Sequence, residues 1–179
     1  MKKISSMSTA ELGALVAGHL ARRGIEVVLS GGACVTIYSE NKYVSQDLDF
    51  VGDGLVKRAD IKKAMEELGF REKGRSFHHP DARFSIEFPA GPLAVGEEFI
   101  KKPTVLSLST GKLSLLSPTD CVKNRLAGYY HWSDLQSLEQ AVLVAKAQKI
   151  DLSEIERWSK KEGKGQEFSK IRPRFVRPT

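Results

Sequence analysis

Asp47 and Asp49 are the residues of this chain whose type and spacing point most directly to chemistry. They flank Leu48 in the run Asp47-Leu48-Asp49-Phe50-Val51, which reads as a short β-strand stopped by Gly52-Asp53-Gly54. Side chains alternate faces along a strand, so both acids project to one side, with Cα atoms about 6.5 Å apart, while Leu48 and Phe50 turn to the core. Carboxylates held side by side repel, and divalent cations bound through carboxylate oxygens are the usual way to neutralise them. Two such cations, roughly 3.5–4 Å apart, would suit phosphoryl chemistry, because together they stabilise the attacking and the leaving oxygen.

Two further features acquire meaning beside this pair. In Phe84-Ser85-Ile86-Glu87-Phe88 the three apolar residues share one face, which leaves Glu87 with Ser85 on the other. A lone acid on an amphipathic strand is ordinarily just solvated; next to an aspartate pair it becomes a candidate third ligand. Ser30-Gly31-Gly32 stands where the apolar run Val27-Val28-Leu29 gives way to a helical pattern. The missing Cβ atoms there would let a phosphate approach backbone N–H groups at a helix N-terminus. By itself a diglycine is more often a tight connection.

The surrounding elements follow from periodicity and punctuation. Ser8-Thr9-Ala10-Glu11 has the form of a capping box, and Leu12, Leu15, Val16 and Leu20 recur at helical spacing, predicting a helix from Thr9 to Arg23. A strand is expected at Val27–Leu29, and helices at Ala33–Tyr38 and Arg58–Leu68. Strands are expected at Phe84–Phe88, Val105–Leu108 and Leu113–Leu116. From Ser117-Pro118 onward the pattern is helical, over Thr119–Tyr130, Asp134–Ala147 and Leu152–Trp158. The expected fold class is therefore α+β, a mixed sheet flanked by helices and followed by a C-terminal helical region. The expected organisation is a catalytic unit over residues 1–116, the helical region over 117–160, and a basic, Pro-containing, poorly ordered tail over 161–179.

A length of 179 residues suits one catalytic unit with an appendage, and 41% apolar residues suit a chain with a true core. Cys34 and Cys121 have no partner at metal-ligand spacing and read as buried thiols of a reducing compartment. Glu11, His19, Arg22 and Arg23 interrupt the N-terminal apolar stretch, so the expectation is a cytoplasmic protein without a membrane span. Of the net charge of +6, residues 159–179 carry +5, from seven Lys/Arg against Glu162 and Glu167. Basicity thus belongs to the tail, where contact with RNA is the functional reading and a solvated extension the ordinary one. Asp47, Asp49 and Gly52 could open an EF-hand loop, but Val51 occupies the third ligand position and Arg58 stands where a Glu is required. Thr110-Gly111-Lys112 fails as a P-loop, since Leu106 replaces the first glycine and Leu113 the Ser/Thr.

Leu29-Ser30-Gly31-Gly32, fourteen residues, then Asp47-Leu48-Asp49-Phe50 resembles the signature of the DNA polymerase β-like nucleotidyltransferase superfamily. Val44 to Phe50 is most similar to its abortive-infection-type toxins, a toxin–antitoxin-like group. The resemblance covers about residues 25–90. It implies transfer of a nucleoside monophosphate from an NTP such as ATP to a hydroxyl or amine, with Asp47, Asp49 and Glu87 catalytic and holding two Mg²⁺, or Mn²⁺. Ser30, Gly31 and Gly32 would hold the nucleotide. Lys123 is similar to the basic residue with which many relatives hold the triphosphate, with Asp120, Arg125 and Asp134 as weaker candidates. The acceptor is left open between a small molecule, a tRNA end and a protein. The alternative is a non-catalytic nucleotide- or RNA-binding protein on a degenerate transferase fold.

Overall fold

In the computed structural model of the chain, which describes residues 2–176, helix α1 (Thr9–Ala21) starts with the expected capping box. The Glu11 amide donates to Ser8 Oγ (3.2 Å), and the Ser8 amide donates to the Glu11 carboxylate (2.8 Å). Gly24, with φ of +72°, turns the chain into β1 (Val28–Ser30), which runs directly into α2 (Gly31–Tyr38). Next come β2 (Asp47–Val51), α3 (Arg58–Glu67), the hairpin β3 (Arg71–Lys73) and β4 (Ser76–His78), and β5 (Ser85–Glu87). A small separate hairpin, β6 (Ala94–Val95) and β7 (Glu98–Phe99), precedes β8 (Thr104–Leu108) and β9 (Gly111–Leu115). The chain continues through α4 (Pro118–Trp132), α5 (Leu135–Ala147), α6 (Leu152–Lys161) and α7 (Gly165–Ile171) to a 3-10 turn at Arg172–Phe175.

Seven strands form one mixed sheet in the order β3-β4-β5-β2-β1-β9-β8. The pairs β2–β5 and β1–β9 are parallel and the others antiparallel. One face is apolar: Leu29, Leu48, Phe50, Phe77, Ile86 and Leu113 are all fully buried. Helix α1 lies on it, so close that a Cβ on Gly13 would stand 3.3 Å from Leu113 and 3.4 Å from Leu48. Each such side chain contributes about 1.5–3 kcal/mol by leaving water, which fixes the strands face-down on the helix layer. The opposite face of β1, β2 and β5 carries Ser30, Asp47, Asp49, Ser85 and Glu87, with Val28 and Val51 at one end.

The α+β class, the mixed sheet and the C-terminal helical region are as expected, and β2 has the expected limits. Two expectations need correction. The segment 71–78, for which no element is expected above, is the hairpin β3–β4; its strands are three residues long and only Phe77 is fully buried, too little for period-2 alternation to register. The basic tail is ordered through residue 176. Phe168, Ile171 and Phe175, at helical spacing, bury into the core. Five of its cations are paired with acids: Lys160 and Arg172 with Glu156, Lys161 with Glu98, Lys164 with Glu167 and Arg174 with Glu139. Much of the tail's charge is thus engaged within the molecule, and the RNA reading gains no support from the fold. Arg177 and Pro178 of that tail lie outside the described residues. Among the described residues no helix is long and apolar enough to cross a membrane.

Candidate active site

Strand register builds the site. Ser30 pairs with Asp49, Asp49 with Glu87, Glu87 with Ser76 and Ser76 with Lys73. Directly paired residues point to the same side of a sheet, so these five side chains form a polar row across β1, β2, β5, β4 and β3. Asp47, paired with Ser85, stands one step along on the same face. The three sequence-predicted acids therefore share one face of two adjacent strands, β2 and β5, beside the diglycine where β1 becomes α2.

The first glycine of that elbow makes room for Asp49, and the second for Ser45, the partner of Asp47. Gly31 has φ of +67°, and a Cβ on it would stand 2.6 Å from Asp49 Oδ2. A Cβ on Gly32 would stand 2.9 Å from Ser45 Oγ, the hydroxyl that donates to Asp47 Oδ1 at 2.8 Å. Ser45 is held in turn by its amide, which donates to Thr36 Oγ1 of α2 (2.9 Å). Ser30 Oγ donates to the Asp49 carbonyl (3.3 Å) and so ties β1 to β2 at the acid. The first amides of α2 have no partner inside their own helix, and they open next to the carboxylates.

Burial pushes the Asp49 carboxyl up to about 6, and the neighbouring Asp47 and Glu87 charges add to the rise. Arg125 and Arg75 oppose it from two sides. Glu87 is engaged elsewhere: Oε1 accepts from Ser76 Oγ at 2.8 Å and Oε2 lies 3.4 Å from Arg75 Nε. Among the described residues no three acid, His or Cys side chains converge into a metal cage. Asp47 and Asp49 lie together, and Glu87 is drawn toward the β3–β4 hairpin, the element that the sequence reading missed. The donor set is oxygen only, and the missing Cβ of Gly31 leaves space at Asp49; both fit a hard divalent cation at the aspartate pair.

No family model and no curated protein matches this chain. Two solved structures are similar to it. The crystal structure of ANT(2'')-Ia in complex with adenylyl-2''-tobramycin aligns at a TM-score of 0.51 and 14% identity, over 94% of this chain and 98% of that chain. The fold is of the nucleotidyltransferase type. A solution structure of the antibiotic-resistance factor ANT(2'')-Ia aligns at a TM-score of 0.43 and 13% identity, over 89% of this chain and 97% of that chain. At such identities the likeness concerns the path of the backbone.

Within this nucleotidyltransferase-type fold, Gly31 and Asp49 open onto a cavity of about 230 Å³, walled on the far side by the segment Pro89–Ala94 and by Asn124 and Arg125 of α4. The β6–β7 hairpin that continues this wall is fastened to α6. Trp158 Nε1 donates to the Val95 carbonyl (3.2 Å), and Arg157 grips Glu98 through both terminal nitrogens (3.0 and 2.7 Å). Lys123 is not brought to this cavity, which Asp49 lines and Asp47 and Glu87 do not. It lines a separate cleft of about 780 Å³ on the other side of β6, with Ala94 in the wall of the first cavity and Val95 in that of the second. There its buried ammonium donates to Glu154 Oε1 (2.6 Å) and lies 3.4 Å from Asp120 Oδ1. The basic residue of α4 that faces Asp49 is Arg125, two positions on. Sequence reasoning also missed Ser45, Arg75 and Ser76. Ser45 stands two residues before Asp47, a spacing that could have pointed to it, whereas Ser76 could have been found only by knowing the register.

Proposed function

We propose that this chain is a metal-dependent nucleotidyltransferase that moves a nucleoside monophosphate from an NTP to a hydroxyl or amine acceptor. The observation that carries the reading is Asp47, Asp49 and Glu87 sharing one sheet face beside an elbow whose first glycine makes room for Asp49 and whose second makes room for Ser45, the partner of Asp47. Asp47 and Asp49 would hold divalent cations, Mg²⁺ or Mn²⁺, whose positive charge would stabilise the attacking and leaving oxygens. Ser45 orients Asp47, Ser30 ties the β1 end to β2, and the first amides of α2 donate to the donor's phosphates. Arg125, in the wall of the same cavity, takes the triphosphate role that the sequence assigns to Lys123. Glu87 stands beside the attacking hydroxyl or amine, as third ligand or proton acceptor.

A small-molecule acceptor is the preferred reading, supported by a fold neighbour held in complex with an adenylylated small molecule, adenylyl-2''-tobramycin. A tRNA end, suggested by the toxin-like run Val44 to Phe50, and a protein side chain are the other two. The test is nucleotide transfer from labelled NTPs with Mg²⁺ or Mn²⁺ against aminoglycoside, tRNA and protein acceptors. Asp49→Asn should abolish transfer and leave the fold intact; undiminished turnover would overturn the assignment.

A second reading, a non-catalytic nucleotide-binding protein, draws on the engagement of Glu87 with Ser76 and Arg75. Calorimetry separates the two: metal-dependent NTP binding without product from any acceptor would favour it.

A further inference from the structure

We infer that Arg75 is a positioning residue of this site, holding Glu87 away from the aspartate pair until an arriving divalent cation displaces its guanidinium. The inference rests on the metal-dependent reading above and concerns how the third acid is kept and released.

The β3–β4 turn is built as a fixed stem with a free arm. Lys73 pairs with Ser76, so Gly74 and Arg75 are the two turn residues, and Gly74 alone has a positive φ (+65°), the pattern of a type II′ hairpin. Arg58 pins this turn. Its Nη2 donates to the Arg75 carbonyl (2.9 Å), its Nε donates to Glu72 (2.9 Å), and its guanidinium lies 4.7 Å from the centre of the Phe77 ring. The Arg75 backbone is thus anchored, while its side chain is 88% exposed and reaches Glu87 Oε2 at 3.4 Å. Ser76, the next residue, holds the other oxygen at 2.8 Å.

Register sets Glu87 opposite Asp49, so the third acid already stands on the strand position from which it can turn to the pair. What holds it back is one hydroxyl and one exposed guanidinium. An ion pair this open to water is weak and exchanges readily for a stronger cation. The guanidinium also contributes positive charge at Asp49, so in its resting position it partly does a cation's work for the cluster. Displacement breaks and forms no covalent bond; Glu87 exchanges a guanidinium for a metal ion. Arg71, exposed on the same hairpin and without an ion pair among the described residues, is the cation that serves as a control.

The experiment is calorimetric titration of the full chain with Mn²⁺ in the absence of nucleotide, for wild type, Arg75→Gln, Arg71→Gln and Asp49→Asn, each first checked by thermal melting. Arg75→Gln should bind Mn²⁺ about two- to fivefold more tightly, the range expected from losing one exposed competing pair. Arg71→Gln should change the affinity by less than that, and Asp49→Asn should remove binding. Unchanged or weaker binding by Arg75→Gln, or an equal gain in Arg71→Gln, overturns the displacement and leaves the transferase reading standing. If neither wild type nor Arg75→Gln binds Mn²⁺ at millimolar concentration, both fall.

Discussion

The Cβ that Gly31 lacks would stand 2.6 Å from Oδ2 of Asp49, so the elbow and the acid occupy space that neither could share with a larger residue. The φ of +67° imposes the same restriction from the backbone, costing an L-residue about 1–2 kcal/mol. Gly31→Ala should therefore lower stability by about 1–3 kcal/mol, read from chemical denaturation. Transfer and Mn²⁺ affinity should both fall at least about tenfold, because the displaced carboxylate loses its geometry.

Asp49 makes the fold pH-sensitive. In the folded chain its proton is held up to about 6, against an ordinary value of 3.8, so between those values the folded state binds more protons than the unfolded state. Stability contributed by this group is complete below about pH 4 and is lost as pH rises through 6. At pH 7 in a chelator, Asp49→Asn should raise stability by roughly 1 kcal/mol, a figure discounted for solvent screening. That corresponds to about 2–4 °C in Tm for a chain of this size. Scanning calorimetry from pH 4 to 8 checks it, and Mn²⁺ should stabilise wild type without stabilising the variant.

Lys123 and Arg125 should separate cleanly. Lys123→Ala removes a buried ammonium from Glu154 and Asp120 and should cost about 2–4 kcal/mol of stability, with a small change in KM for the NTP. Arg125→Gln should leave the melting temperature within a few degrees and raise that KM about tenfold or more, the loss of a charge-assisted contact to phosphate. The opposite pattern would return the triphosphate role to Lys123.

The C-terminal helix should behave as core. Phe168 is fully buried and lies against Phe175 with ring centroids 6.0 Å apart, so Phe168→Ala should cost about 3–5 kcal/mol in denaturant unfolding.

Where a pattern was long or alternated, the sequence was enough. Leu48, Phe50 and Ile86 alternate with Asp47, Asp49 and Glu87 without interruption, and the structure puts the two sets on opposite faces of the sheet. The β3–β4 hairpin was not legible because Arg71-Glu72-Lys73 buries almost nothing, yet it supplies the Ser76 and Arg75 that engage Glu87. Helix α7 was hidden by the basic, Pro-containing segment in which it lies, although Phe168, Ile171 and Phe175 carry the helical spacing. Lys123 was chosen by residue type. On a helix, positions two apart differ by about 200°, so a basic residue at 123 and another at 125 face different cavities, and only the packing of α4 decides which meets the acids.

The polar row crossing five strands ties reactivity to hydrogen-bond pairing. A slip of β2 by a single residue would turn both aspartates into the greasy layer and Leu48 and Phe50 out to water, at a cost the domain could not sustain. A half-working, misregistered form therefore has no stable existence. Damage to this chain should show as fewer competent molecules, each with ordinary turnover, instead of a full population running slowly.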